Sequence, residues 1–201
     1  GTDTSEATFQ RMLEANPDHP SAHVVYSRHL ADTRGYASAI EHLESRIGQG
    51  MDDAVLLTGI VNLQHAHRRP LDAARTLERM QRDYGDRPAT ALLVARHQLT
   101  NNQLDQAVAT LRSSIAAQET AEAQRLLART ELKRRRYDEA LVAVERAIEL
   151  AGTTVPENIR LKARIQMARG DNRPAARTLA RLQRIEPLTP DDLSLIHISE
   201  P

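Results

Sequence analysis

Histidines and carboxylates could bind a metal or act in catalysis here, and a glycine-rich loop could bind phosphate. The 201-residue sequence contains no cysteine, which excludes thiolate metal ligands and thiol nucleophiles. His65 and His67 lie two residues apart on a predicted helix, so their rings point away from each other rather than toward one metal ion. His19 and His23 could face one another across a helix start, but no third ligand stands at a recognisable spacing. The sequence also lacks a glycine-rich phosphate loop. We therefore expect no catalytic residue, no metal site and no cofactor, and we predict that the chain is not an enzyme.

Composition narrows the class of protein further. Hydrophobic residues make up 40% and charged residues 27% of the chain, which is typical of a folded globular protein. The 27 basic residues balance the 27 acidic ones, and aromatic residues make up only 2%. Neutral net charge and few aromatic rings argue against binding of nucleic acid. No apolar run approaches the roughly 18 residues of a membrane span, so we expect none.

An internal repeat predicts the architecture. The segment 73–82, AARTLERMQR, recurs 102 residues later as AARTLARLQR, and this offset is three times 34. Alanines recur between and before these segments at spacings of 34, 34, 33 and 35, each followed four residues later by an apolar residue. The alanines are Ala39, Ala73, Ala107, Ala140 and Ala175, and the apolar residues are Leu43, Leu77, Leu111, Val144 and Leu179. This period predicts pairs of helices of about 13 residues, with turns near Gly35, Asn102 and Gly170.

A 34-residue helix–turn–helix unit resembles the tetratricopeptide repeat family, in degenerate form and of bacterial type. The family has a small residue at position 8, alanine at position 20 and a bulky apolar residue at position 24. With the recurring alanines at position 20, position 8 holds Ser27, Val61, Ala95, Ala128 and Ala163. The resemblance implies an all-α fold, a right-handed α-solenoid of about five full units preceded by a half repeat.

The repeat frame also predicts the domain boundaries. We expect a solenoid over residues 1–187 that begins with the second helix of a truncated repeat at 4–16. The full repeats are expected at about 20–50, 54–86, 88–118, 121–152 and 156–187, and a truncated next helix is expected to start at 188–192. Residues 193–201, LSLIHISEP, resemble a translated sequencing-library adapter, so we expect a non-native tail there and an interior fragment of a longer protein.

Arginines occupy the positions that the family exposes in its concave groove. Lysine occurs only at positions 133 and 162, so 25 of the 27 basic residues are arginines. Positions 5 and 9 of the first helices hold six arginines and no acidic residue among ten side chains. The resemblance therefore predicts a partner-binding groove formed by Arg28, Asn62, Arg96, Arg125, Arg129, Arg160 and Arg164. The alternative is that solvated helix faces in an arginine-rich chain carry arginine without any function.

Two functions are consistent with this pattern. The leading hypothesis is a non-enzymatic scaffold that binds a protein or peptide segment in its groove, and guanidinium groups there would favour an acidic partner. The alternative is a docking arm of a larger bacterial enzyme, or of an exopolysaccharide or secretion-system protein, whose other domains are missing from this sequence.

Overall fold

The computed structural model describes residues 2–152, 154–187 and 189–190. The expected non-native tail, 193–201, lies outside the described residues, as does most of the expected helix start at 188–192.

Eleven α-helices and no β-strand form in the described part of the chain, which confirms the predicted all-α class. The helices are α1 (Thr2–Ala15), α2 (Pro20–Thr33), α3 (Tyr36–Glu44), α4 (Asp53–Ala66), α5 (Pro70–Tyr84), α6 (Pro88–Thr100), α7 (Leu104–Ala117), α8 (Ala121–Lys133), α9 (Tyr137–Ala151), α10 (Pro156–Arg169) and α11 (Asn172–Gln183). Prolines begin several of them, because the first helical position needs no N–H donor. The chain divides into two compact units, residues 1–93 and 94–201, and the division falls within α6.

The recurring alanines are the packing points of the helix pairs. All five are 0% exposed, and the apolar residues that follow them four positions later are buried as well. The five residues at position 8 are also buried, including the polar Ser27. A small side chain at these positions lets two helix backbones approach closely, so the 34-residue period is a period of helix crossings.

In the first unit, Gly59 of α4 makes room for side chains of α2 and α3. A β-carbon placed on Gly59 would lie 2.8 Å from Cγ2 of Val24 and 3.2 Å from Cδ1 of Leu43, and real β-carbons essentially never come as close as the first distance. Alanine at this position would therefore require the Val24 side chain to move. Phe9 of α1 stacks on the ring of His29 in α2, with the centroids 4.5 Å apart, which holds the first helix to the next.

In the second unit, the α8–α9 pair forms a core with α10. Ala128, Ala140, Val144 and Ile165 are all 0% exposed and pack in one cluster. A second cluster joins α10 to α11 through Ile159, Ala163, Leu179 and Leu182. Each helix pair thus buries its apolar side against its neighbours in the chain.

The turns inside the repeats share a left-handed backbone. The residue at position 15 has a positive φ in four successive repeats. Gly170 (φ 92°) and Asn102 (φ 59°) lie where the sequence predicts such turns, whereas Arg68 (φ 54°) and Arg135 (φ 61°) carry no sequence signal for one. The backbone therefore follows the repeat period even where the side chain is unfavourable for a left-handed conformation.

A paired set of hydrogen bonds ties the loop after α7 to α9. Arg146 donates from Nε to Oε1 of Glu119 at 2.9 Å and from Nη2 to Oε2 at 2.7 Å. Gln124 donates to the same carboxylate at 2.8 Å. The guanidinium first, and the Gln124 amide second, lower the pKa of Glu119 to about 2.

None of the helices in the described ranges combines the length and the apolar character that crossing a membrane requires.

Overpacking a crossing tests the repeat frame. We expect Ala107→Phe to lower the free energy of unfolding by about 1–3 kcal/mol, because the larger ring must displace neighbours at a fully buried site. Ala109, on the same helix, is exposed, so Ala109→Phe should cost only about 0.5 kcal/mol through helix propensity. Urea unfolding followed by circular dichroism measures both variants. Equal stabilities for the two would show that the crossing is assigned to the wrong residue.

The Glu119–Arg146 pair predicts a pH dependence of stability. Because folding lowers the pKa of Glu119 from 4.5 to about 2, its contribution is complete above about pH 4.5 and is lost as the pH falls toward about 2. Glu119→Gln should therefore lower the urea midpoint at pH 6, and its difference from the parent should shrink steadily between pH 4.5 and pH 2.5. A difference that stays constant over this range would contradict the assignment.

Candidate partner-binding surface

The arginines predicted for the groove divide between the two units. Arg28 on α2 and Asn62 on α4 are exposed and belong to the first unit. Arg96, Arg125, Arg129, Arg160 and Arg164 all belong to the second unit. The second unit therefore holds the side chains that can act together on one surface.

Helix geometry places these five side chains in register. Arg125 and Arg129 are four residues apart on α8, and Arg160 and Arg164 are four apart on α10, so each pair lies on one face of its helix. Arg96 on α6 holds the position equivalent to Arg129 and Arg164. The neighbouring residues Ala95, Ala128 and Ala163 are fully buried at the crossings, so the packing of the helices fixes where the arginines emerge.

Three guanidinium groups are close enough to Arg129 to affect its pKa. The pKa of Arg129 is lowered, first by burial and then by the positive charges of Arg125, Arg96 and Arg164. The carboxylate of Glu157 acts in the opposite direction. Arg129 is therefore the centre of a positive cluster formed by three successive first helices, α6, α8 and α10.

The members of the cluster differ in their ion pairs. Arg96 pairs with Glu122, which lies at the start of α8. Arg160, one turn from Arg164, pairs with Glu186 after α11. Arg125 and Arg129 make no ion pair with any residue that the structure describes. These two side chains carry positive charge that no ion pair in the described part of the chain neutralises.

Acidic residues offset part of the positive charge of the cluster. Glu122 and Glu157 both occupy position 2 of their repeats, and the sequence already places them among the groove positions. Glu122 pairs with Arg96, whereas Glu157 attracts Arg129 without an ion pair. Sequence reasoning missed Glu186, because it lies in an irregular segment after the last helix.

The histidines form a structural pair in the first unit. His23 and His42 are joined by a hydrogen bond of 3.1 Å between Nδ1 and Nε2, and Nε2 of His23 donates to the carbonyl of Pro17 at 2.7 Å. Burial first, and the nearby His23 and Arg46 second, lower the pKa of His42 to about 4. Sequence reasoning paired His23 with His19 instead, because position alone does not show that α3 brings His42 beside it. Across the described ranges no three potential metal ligands come together.

The positive charges around Arg129 predict that removing the charge of this side chain stabilises the fold. We expect Arg129→Gln to raise the melting temperature by about 1–2 °C at low ionic strength, because it removes repulsion without breaking an ion pair. The rise should shrink in about 0.5 M salt, which screens the cluster. Arg146→Gln is the matched control, and it should lower the melting temperature because it breaks the Glu119 pair. A fall for Arg129→Gln at both ionic strengths would contradict the like-charge interpretation.

Comparisons with known proteins agree with the repeat frame. The tetratricopeptide repeat family matches residues 92–154. No curated protein matches the chain by sequence. The folds of several solved structures match closely at low identity.

A thermophilic tetratricopeptide repeat protein of Thermus thermophilus has a TM-score of 0.70 at 13% identity, over 90% of this chain and 98% of that one. PilW, a type IV pilus biogenesis factor, has a TM-score of 0.75 at 19% identity, over 97% of this chain and 90% of that one. YrrB, a repeat protein with an unusual peptide-binding site, has a TM-score of 0.62 at 15% identity, over 94% of this chain and 96% of that one. Residues 92–154 therefore match the tetratricopeptide repeat family, and the described chain has the fold of these solved repeat structures.

Proposed function

We propose that this chain is a non-enzymatic protein-interaction scaffold whose second unit binds an acidic segment of a partner protein. The binding surface consists of Arg96, Arg125, Arg129, Arg160 and Arg164. We call these five side chains the arginine surface. Arg28 and Asn62 lie in the first unit, and the proposal does not depend on them.

The observation that carries this proposal is that Arg125 and Arg129 form no ion pair within the described part of the chain. Gathering like charges lowers the stability of the folded chain, and neither side chain forms an ion pair with a carboxylate among the described residues, although Glu157 attracts Arg129 from farther away. A bound carboxylate would supply the missing partner. Guanidinium groups bind carboxylates through two parallel hydrogen bonds, which gives geometric selectivity as well as charge.

The spacing of the arginine surface favours an extended segment with several acidic residues. The arginines come from three helices in successive repeats, so they form a row rather than a single pocket. One carboxylate can satisfy one or two guanidinium groups, whereas a run of acidic side chains can meet the whole row. The low aromatic content gives no stacking platform for bases, which favours a peptide over single-stranded nucleic acid.

Charge reversal tests the arginine surface directly. The probe is a fluorescein-labelled peptide containing six glutamates, compared with the same peptide containing six glutamines. We expect the glutamate peptide to bind and Arg125→Glu/Arg129→Glu to weaken its binding by at least about tenfold, measured by fluorescence anisotropy at about 0.1 M salt.

The control for this experiment is Arg173→Glu/Arg177→Glu on α11. These two arginines are exposed, are also four residues apart, and change the net charge by the same amount. Affinity should stay within about threefold of the parent. Equal losses for the two double variants would refute the arginine surface and leave only non-specific attraction.

The alternative function is a docking arm of a larger enzyme or export machine. Sequencing the gene on both sides of this segment tests it. A catalytic or secretion domain in the same reading frame would support this alternative, and stop codons at both ends would contradict it.

A further inference from the structure

A polar pair recurs inside the repeats. In three of them a side-chain hydrogen bond joins a glutamine at position 11 of the first helix to a threonine at position 23 of the second helix. Gln64 donates to Thr76, whereas Thr110 and Thr178 donate to their glutamines. The pairs are Gln64–Thr76 (3.0 Å), Gln98–Thr110 (3.0 Å) and Gln166–Thr178 (2.7 Å). Each pair closes the space between the two helices of its repeat with a satisfied hydrogen bond.

The α8–α9 repeat departs from this pattern at both positions. Position 11 holds Glu131 and position 23 holds Ala143. Alanine provides neither the hydroxyl nor the methyl group of threonine, so the interhelical hydrogen bond is absent from this repeat. A carboxylate that is 1% exposed takes the place of the neutral amide.

One carboxylate oxygen of Glu131 accepts a good hydrogen bond, and the other accepts only a long one. Arg134 donates to Oε2 at 2.9 Å. Oε1 is reached by Nη2 of Arg112 at 3.5 Å, and the Arg112 side chain is 64% exposed. A separation of 3.5 Å is at the limit of a hydrogen bond, so Oε1 retains capacity to accept a shorter one.

Glu131 lines a cavity of about 420 Å³ between α7, α8 and α9. Leu127 and Ala143 form apolar walls, and Val142 stands at the cavity with 69% of its surface exposed. The carboxylates of Asp138 and Glu139 also line it, as does the guanidinium of Arg112. Asp138 and Glu139 are exposed and pair with arginines outside the cavity, so Glu131 is the buried carboxylate of a lining in which acidic side chains outnumber basic ones.

The corresponding cavity of the first unit has different chemistry. It lies between α3, α4 and α5 and has a volume of about 310 Å³. The Gln64–Thr76 pair occupies the place of Glu131 and Ala143, and Arg75 stands where Val142 does. The acidic cavity is thus a property of the α8–α9 repeat and not of the repeat pattern.

We propose that the cavity between α7, α8 and α9 binds a lysine side chain of a partner segment. The four-carbon stem packs along Leu127, Ala143 and Val142, and the ammonium group donates to Oε1 of Glu131, displacing the weak Arg112 contact. Only one oxygen of Glu131 is open, because Arg134 holds the other. A single open oxygen suits the compact ammonium group better than the two-pronged guanidinium of arginine.

This site is separate from the arginine surface. At about 100° per residue, Glu131 and Leu127 project from the side of α8 opposite to Arg125 and Arg129. The two proposals therefore stand or fall independently.

The probe that tests the cavity is Nα-acetyl-lysine methylamide, which keeps its side-chain ammonium group. Nα-acetyl-norleucine methylamide is the neutral compound of nearly the same shape. We expect the lysine compound to shift amide NMR signals of residues 124–143 in a saturable way, in the low millimolar range. The norleucine compound should bind at least about fivefold more weakly, since it lacks the ammonium group. Equal binding of the two compounds, or shifts that map elsewhere, would overturn the proposal.

The variant Glu131→Gln/Ala143→Thr introduces the glutamine–threonine pair found in three of the other four repeats. It should fold at least as stably as the parent and lose the lysine-dependent shifts, so loss of binding cannot be attributed to unfolding. Asp105→Asn is the matched control, because it neutralises an exposed carboxylate that also pairs with Arg134 but does not line the cavity. Binding that survives in the Glu131→Gln/Ala143→Thr variant would refute the cavity as the site.

Discussion

The close approach of paired helices at small side chains is the constraint on which the rest of this structure depends. Alanine or another small residue at positions 8 and 20 lets the two helices of a repeat cross with their backbones near each other. Since the crossings repeat at nearly equal intervals, every other position of the helix pair repeats with them. The row of arginines, the glutamine–threonine pairs and the left-handed turns are all consequences of that register.

The local balance of charge matters more here than the total. The chain has a formal net charge of zero, and most of its arginines that form ion pairs do so across neighbouring helices or turns. Arg125 and Arg129 are exceptions on one side of α8, and Glu131 is a buried carboxylate on the other. One helix thus carries opposite charges on opposite sides, although the chain as a whole is neutral.

Much of the fold could be predicted from the sequence, because a period of 34 residues is a local signal that needs no knowledge of contacts. The five buried alanines and the all-α class followed from spacing, whereas the arginine positions were predicted through the resemblance to the tetratricopeptide repeat family. Contacts between positions that do not repeat could not be predicted in this way. The His23–His42 pair, the Arg160–Glu186 pair and the cavity beside Glu131 each depend on how particular side chains meet, and Arg68 and Arg135 have left-handed backbones without a residue type that favours them.

The left-handed conformation of Arg68 and Arg135 lowers the free energy of unfolding of this fold. A non-glycine residue in the left-handed region loses about 1–2 kcal/mol to contact between its β-carbon and the backbone, and the repeat keeps that conformation regardless. Glycine there would remove the strain, although part of the gain would be lost to the greater freedom of the unfolded chain. Replacing Arg68 or Arg135 by glycine is thus a way to stabilise the fold that alters neither the arginine surface nor the lining of the cavity beside Glu131.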